Sequence, residues 1–267
     1  MSIEMTPRQT AILSCLVKEY IQTAEPIGSK MLENSGDFNV SSATIRSEMH
    51  DLEDMGYLVQ PHTSAGRIPT TKAYRHFVDN LAKGDIKITR EAVEKIINRL
   101  DNAWESPDKA NRALAKLLSD LSGAVAITNI TGREDFYKTG ISGLMELPEF
   151  REFNQMFRLT NLFDEFEDLF NTISQDFFGP NAGNISWPFE ASRNNNDIKI
   201  IIGEENPIRE MGNETIMLGK YRLPQNYVGS LTLIGPTRMD YSKNIGLIKF
   251  ATGYMNKLAE EGQRYLR

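Results

Sequence analysis

Four side chains between residues 43 and 50 are of the types that read DNA bases. At 100° per residue they fall opposite or beside an apolar helical stripe centred on Ile45; they are Ala43, Arg46, Ser47 and His50. An arginine can donate two hydrogen bonds to a guanine edge, a serine can donate or accept, and an alanine methyl can contact thymine. This spacing predicts a DNA-reading face, although a solvated face of an amphipathic helix has the same pattern.

Hydroxyl and basic residues just upstream could hold phosphates of the same DNA. Ser41, Ser42 and Thr44 stand at the predicted start of the helix, where free backbone amides favour an anion. Ser29 and Lys30 begin a shorter helix before it and could anchor a phosphate, although for Lys30 alone a solvated lysine is the better interpretation.

The turn-rich segment 62–67 offers a second contact. Its small residues permit close approach to the sugar-phosphate backbone, and Arg67 could neutralise a phosphate or enter the minor groove. The other candidate contacts here are His62, Thr63 and Ser64. An ordinary hairpin turn has a similar composition, so the pattern alone leaves both interpretations open.

Helix signals place these candidates on a defined series of elements. Thr6 and Gln9 form a capping box around Pro7, so a first helix should run from there to about Thr23. A short second helix is expected over 28–32. A third helix opens with serine caps at 40–42 and ends at Gly56, a left-handed cap.

Two strands and a fourth helix are expected after the third helix. The first strand covers 57–60, the second begins at Ile68 after the 62–67 loop, and the helix covers 70–81. Together these elements predict a winged helix-turn-helix domain over residues 1–82. A winged helix can bind protein instead of DNA, so the fold alone does not settle the function.

The remainder predicts an α+β fold with an antiparallel sheet. Residues 83–122 should form a helical linker or dimerisation segment, interrupted near Ser106-Pro107, whose apolar stripe suits a dimer seam or packing on the next domain equally well. Residues 123–267 form the third predicted domain. Its expected elements are strands over 124–130, 136–141 and 198–202, a helix over 148–175, a loop over 178–196, a hairpin of 215–223 with 227–234, and a closing helix over 242–266.

Charge is a mild argument against nucleic acid. The chain has a net charge of −6, and residues 1–82 hold seven basic and ten acidic residues. Phosphate contacts supply much of the affinity for DNA, so binding requires the positive charge to be segregated onto one face.

Other function classes find little support. No apolar run approaches the roughly 18 residues of a membrane span, and the N-terminus lacks a signal layout, so a cytoplasmic protein is expected. A single cysteine, Cys15, rules out an internal disulfide and a cysteine-based zinc cluster. The three histidines lack metal-ligand spacing, and Gly219-Lys220 lacks the rest of a phosphate loop. We therefore expect no catalytic site, metal or cofactor.

Three stretches of the chain closely resemble one family of regulators. EPIGSK at 25–30, the run from SSATIRSEMH to AYRHFVD at 41–79, and YVGSLTLIGPTRMDYS at 227–242 resemble the heat-inducible transcription repressor family HrcA. The resemblance implies a homodimeric bacterial repressor that binds an inverted-repeat operator in double-stranded DNA, upstream of chaperone operons. It also implies that the GroE chaperonin assists the repressor into its active form and that stress relieves repression. A cytoplasmic protein, associated with the nucleoid when bound to DNA, follows.

The family fold implies a winged helix followed by a GAF-like domain with an inserted dimerisation domain. This chain is shorter than typical members, and the shortfall is expected between about Ile130 and Pro148, so the insertion is reduced or missing. A dimer is still expected, through 86–122, the GAF-like core or both, because a palindromic operator needs two reading heads. The alternative is a winged-helix regulator that senses a small molecule, with Gly235 to Arg238 as a polar site, although a structural turn suits those residues better.

Overall fold

The computed structural model of the protein describes residues 5–35, 38–81, 86, 88–133, 135–150, 198–206 and 211–264. The predicted loop over 178–196 lies outside these residues, as does the predicted helix after Phe150; Pro148–Phe150 form a single 3-10 turn. The chain divides into two compact units: unit 1 is Met1–Lys87 with Ile202–Thr215 and Pro236–Asn244, and unit 2 is the rest. Two C-terminal segments thus group with the N-terminal residues, which the sequence boundaries did not anticipate.

Unit 1 begins with helices whose ends follow the local signals in the sequence. Helix α1 (Pro7–Thr23) starts at an N-cap, Thr6, and the predicted capping box with Gln9 is present. Helix α2 is Ser29–Asn34, two residues longer at its C-terminal end than predicted. Helix α3 is Ser42–Asp54, and Gly56 after it has the expected positive φ of 77°.

The helices of unit 1 pack around one apolar core. Helix α4 (Thr71–Leu81) and α3 both lie against α1, and the buried contacts include Leu16, Ile45 and Phe77. One feature of α3 was not expected: Glu48 is buried on the apolar side, whereas Met55 is only half-buried at the helix end.

A short antiparallel ladder lies between α3 and α4. Strand β1 (Leu58–Val59) pairs with β2 (Ile68–Pro69), so each strand is shorter than the sequence suggested. Residues 60–67 connect them, and we call this segment the hairpin loop. At its base, Arg67 and Ile27 exchange two backbone hydrogen bonds of 2.8 and 2.9 Å. Gly66 lies so close that an added Cβ would be 2.4 Å from the Ile27 carbonyl carbon, which restricts this position to glycine.

Unit 2 combines helices with most of a five-stranded sheet. Helices α5 (Arg90–Asp101) and α6 (Pro107–Ser122) are the predicted helical segment, interrupted before Pro107, which takes the first position of α6. The sheet order is β4-β3-β7-β6-β5. Its strands are β3 (Val125–Ile130), β4 (Phe136–Thr139), β5 (Ile198–Ile202), β6 (Glu214–Arg222) and β7 (Val228–Pro236), and a short helix α7 (Ile141–Met145) follows β4.

The α+β fold predicted from the sequence is confirmed. Strand β3 pairs antiparallel with both β4 and β7, and its six residues are all buried. Strands β6 and β7 are joined through Pro224–Asn226, where the hairpin was expected. The closing helix α8 runs over Tyr241–Arg264.

Candidate DNA-reading surface

The N-terminus of α3 is closed by side chains of the protein itself. The Ser41 hydroxyl accepts a hydrogen bond of 3.3 Å from the Thr44 amide, so Ser41 is the N-cap. The Ser42 amide donates to Glu33 Oε1 at 2.9 Å, and the Ser42 and Ser29 hydroxyls lie 2.9 Å apart. Ser29 is buried. These serines therefore join α2 to α3, and Glu33 occupies one amide that the sequence suggested for a phosphate.

The outer face of α3 carries the four residues that the sequence singled out. Ala43, Arg46, Ser47 and His50 are all exposed, on the side of the helix away from the buried Ile45. His50 Nδ1 lies 3.7 Å from Asp54 Oδ1, a surface contact between two largely exposed side chains. Within the described residues, no hydrogen bond or ion pair engages the side chain of Arg46. The structure thus brings these four residues together on one accessible face, which we call the outer face of α3.

Two glutamates of α3 are held by arginines from other elements. Arg8 Nε of α1 donates to Glu48 Oε1 at 2.6 Å, and the Glu48 side chain is only 9% exposed. Arg67 Nε and Nη2 both lie 2.9 Å from Glu53 Oε2. Both glutamates are neutralised by a cation from a neighbouring element, so α3 is clamped from two sides.

The hairpin loop has a fixed base and an exposed tip. The Gln60 side-chain amide donates to the carbonyl oxygens of Thr63 and Ala65, each at 3.0 Å, which folds the loop back on itself. The side chains of His62, Thr63 and Ser64 remain exposed, whereas Arg67 is directed toward Glu53. The structure therefore places the first three candidates at the tip and gives Arg67 a partner within the protein.

Sequence reasoning missed Lys72, which supports the surface from behind. Its ammonium donates to the Met55 carbonyl at 2.7 Å, at the C-terminal end of α3, and lies 4.2 Å from the centre of the Tyr57 ring. A lysine at a helix C-terminus satisfies a free carbonyl and complements the helix dipole. Lys72 follows Met55 by 17 positions, and the two meet only after the hairpin between them has formed. The sequence around Lys72 therefore carries no local signal of this contact.

The arginines among residues 5–81 divide into paired and unpaired groups. Arg8 and Arg67 pair with glutamates of α3, and Arg75 of α4 pairs with Glu205. Arg46 is the remaining arginine of this range and has no acidic partner among the described residues. Lys30 is also exposed. Lys18 is exposed as well. The outer face of α3 therefore offers one unpaired arginine, beside the exposed Asp54.

Of residues 235–238, the first two end β7, and Thr237 and Arg238 after it are engaged within unit 1. The Thr237 amide donates to the Asn213 carbonyl at 3.2 Å, and the Met239 amide to the Pro236 carbonyl at 3.0 Å. Arg238 Nη1 donates to the Ile21 carbonyl of α1 at 3.2 Å. These contacts give the turn a structural role.

The described residues contain no helix long and apolar enough to cross a membrane. They also contain no group of three or more histidine, cysteine, aspartate or glutamate side chains placed to hold a metal ion.

A family model described as the HrcA protein C-terminal domain matches residues 70–245. Two relatives bear the name heat-inducible transcription repressor HrcA. The protein of Syntrophobacter fumaroxidans is 26% identical over 97% of this chain and 98% of its own length. That of Alkaliphilus metalliredigens is 28% identical over 96% and 98%. Transcription repressors are not enzymes, which agrees with the sequence expectation.

The lengths of these alignments bear on the expected shortening. The alignment with the Syntrophobacter fumaroxidans protein spans 357 positions, 90 more than the 267 residues of this chain. At least 90 positions are therefore filled by the relative alone.

A crystal structure at 2.2 Å resolution of a protein described as hypothetical has the same fold. The TM-score is 0.76 at 19% identity, covering 97% of this chain and 99% of the other.

Proposed function

Because this chain belongs to the HrcA family of heat-inducible transcription repressors, we propose that it represses transcription by binding DNA through the outer face of α3 and the hairpin loop. In this proposal residues 5–81 form a winged helix-turn-helix domain. The N-terminal part of α3 enters the major groove, where a recognition helix reads bases, and the loop tip lies beside the sugar-phosphate backbone. Because bacterial DNA lies in the cytoplasm, the proposal also places the protein in the cytoplasm.

One observation supports this proposal most: Arg46 is exposed and unpaired among the described residues, while the three other arginines of 5–81 have carboxylate partners. An unpaired guanidinium keeps its five donors for a ligand, and a guanine edge accepts two of them in the major groove. Ser47 and Ala43 flank Arg46 and supply a donor-acceptor pair and a methyl group.

Phosphate contacts are assigned to fewer groups. Lys30 and the tip residues His62, Thr63 and Ser64 are exposed and face no competing partner in the contacts described. Ser29, Ser41, Ser42 and Thr44 are mainly positioning groups, because their hydroxyls already bond within the protein. A small number of phosphate contacts predicts a shallow salt dependence of binding.

The family resemblance adds an assembly to this proposal. Two copies bind an inverted-repeat operator of chaperone operons, since a palindrome presents one half-site to each copy. The chaperonin GroE favours the active state, and stress relieves repression. The C-terminal domain is GAF-like in this proposal.

The test is a binding titration with Arg46→Ala. The substitution should weaken binding to a DNA fragment selected by the wild-type protein by about 1–3 kcal/mol and relax base preference at one position of each half-site. Fluorescence anisotropy against the selected fragment and against point-substituted fragments measures both effects.

Arg90→Ala is the matched control, because it removes the same charge from an exposed arginine of α5 that pairs only with Glu94 in the described contacts. Its affinity should equal that of the wild type. Equal affinities for Arg46→Ala and Arg90→Ala would refute the assignment of the outer face of α3. Failure of the wild-type protein to select any DNA sequence would refute the function itself.

A further inference from the structure

Helix α4 is bound to the C-terminal end of α3 by two polar contacts. The Thr70 hydroxyl, just before α4, donates to the Gly56 carbonyl at 2.8 Å. Lys72 donates to the Met55 carbonyl at 2.7 Å. A displacement of α4 would therefore be transmitted to the end of α3.

The next turn of α4 carries an ion pair with a distant segment of unit 1. Arg75 Nε and Nη2 donate to the two oxygens of Glu205 at 2.8 and 2.5 Å, a two-point contact between residues 130 positions apart. The two side chains are only 14% and 16% exposed. Arg75 Nη1 also lies 3.5 Å from Asp79 Oδ1, on the same helix. Burial lowers the pKa of Arg75, but the hydrogen bonds and charges of Glu205 and Asp79 together outweigh it and leave the pKa above its ordinary value.

Glu205 lies in a turn over residues 202–206 that is rigid and fits closely against α4. Asn206 donates from its amide nitrogen to the carbonyls of Gly203, Met211 and Glu214, at 2.9, 2.7 and 2.9 Å. At Gly203 an added Cβ would lie 2.6 Å from the Thr71 hydroxyl. The turn is thus fixed internally and touches the first residue of α4.

The chemistry of the pair suits positioning more than stability. A buried ion pair adds little net stability over an apolar contact of similar volume, because both charges lose their water. Its two-point geometry, however, fixes distance and orientation together. The 202–206 turn begins at the last residue of β5. The pair therefore holds α4, and with it the end of α3, against the 202–206 turn of the same unit.

We propose that Glu205 and Arg75 are positioning residues for DNA binding, which hold the outer face of α3 so that two copies of the chain meet half-sites at one fixed separation. This inference rests on the proposed function. Successive base pairs advance by about 3.4 Å, so heads held rigidly discriminate a one-base-pair change in spacing. Loosely held heads tolerate the change, because binding through two linked modules depends on how well their geometry matches the two sites.

The experiment uses the full chain with Glu205→Gln, which keeps an acceptor for the Ile202 amide but removes the charge. The probes are a two-half-site fragment selected by the wild-type protein, derivatives respaced by one and two base pairs, and a single half-site. Glu94→Gln is the control, because it makes the same change in the exposed pair with Arg90. Thermal unfolding confirms that each protein is folded.

We expect Glu205→Gln to bind the single half-site as the wild type does, and to bind the full fragment about tenfold more weakly through lost avidity. The penalty for respacing should shrink, and Arg75→Lys should show the same pattern more weakly because it keeps the charge. A folded Glu205→Gln with the wild-type spacing profile would overturn the proposal. Loss of folded protein in both variants would also overturn it, by assigning the pair to stability alone. A wild-type protein without spacing preference would instead refute the paired reading heads of the proposed function.

Discussion

The charged residues of α3 differ in exposure and in whether they have partners. Glu48 and Glu53, which are buried and half-buried, are each held by an arginine from another element. On the outer face of α3, Arg46 is exposed and has no carboxylate partner in the described structure. The charges that fix the helix are neutralised within the protein, and those available to a ligand are left to solvent. An acidic domain can thus keep an arginine available to a ligand.

The largest expected effect comes from disturbing the base of the hairpin loop, next to Arg67, which holds Glu53. Gly66→Ala would place a methyl group against the backbone of Ile27 and should lower the free energy of unfolding by about 3 kcal/mol, as overpacking does. Gly253→Ala in α8, where nothing lies within 4 Å of the added Cβ, should instead raise stability by about 0.5–1 kcal/mol. Thermal unfolding of both variants measures the contrast. An unchanged melting temperature for Gly66→Ala would show that the loop base yields easily.

A smaller effect is expected for a substitution of Arg67. It tests whether Arg67 holds Glu53 or contacts a phosphate of the DNA. Arg67→Ala should cost about 1–2 kcal/mol of stability, because the partly buried Glu53 loses a charged hydrogen-bond partner. If Arg67 stays with Glu53 in the complex, the dependence of DNA affinity on salt remains that of the wild type. A slope shallower by about 0.9 would reveal a phosphate contact instead. Titrations at several salt concentrations, with Arg90→Ala as the control, decide between them.

The smallest expected effect lies on the outer face itself. Asp54→Asn removes the partner of His50 and one negative charge near the DNA. The pair is largely exposed, so stability should change by less than about 0.5 kcal/mol. Affinity for DNA of random sequence should rise about twofold, because repulsion of phosphates falls. Asp120→Asn, at an exposed position of α6, should leave that affinity unchanged; a weaker-binding Asp54→Asn would mean that Asp54 orients His50 for contact.

Features set by neighbouring residues were predictable from the sequence. The capping box around Pro7 depends on residues three positions apart, and the turn at Gly56 depends on one residue that tolerates a positive φ. The outer face of α3 follows from helical spacing alone. The order of helices, loop and strands needed no more than such signals.

Features that depend on distant partners were not predictable. Glu48 interrupts an apolar stripe, and its burial makes sense only once Arg8 arrives from α1. The same reason explains why Arg67 was assigned to DNA without its partner, Glu53. The pair of Arg75 with Glu205 joins segments whose sequences carry no shared pattern, so only the folded chain shows it.

The bridge between Ile27 and Arg67 has a consequence for motion. It divides the hairpin loop into a base held by two backbone hydrogen bonds and a tip closed mainly by the side chain of Gln60. Local opening is cheapest where few bonds have to break, so amide protons at the tip should exchange with solvent long before those of Ile27 and Arg67. The tip can therefore adapt its shape to the surface it meets while the base keeps its direction. The entropy lost on ordering is then confined to a few residues.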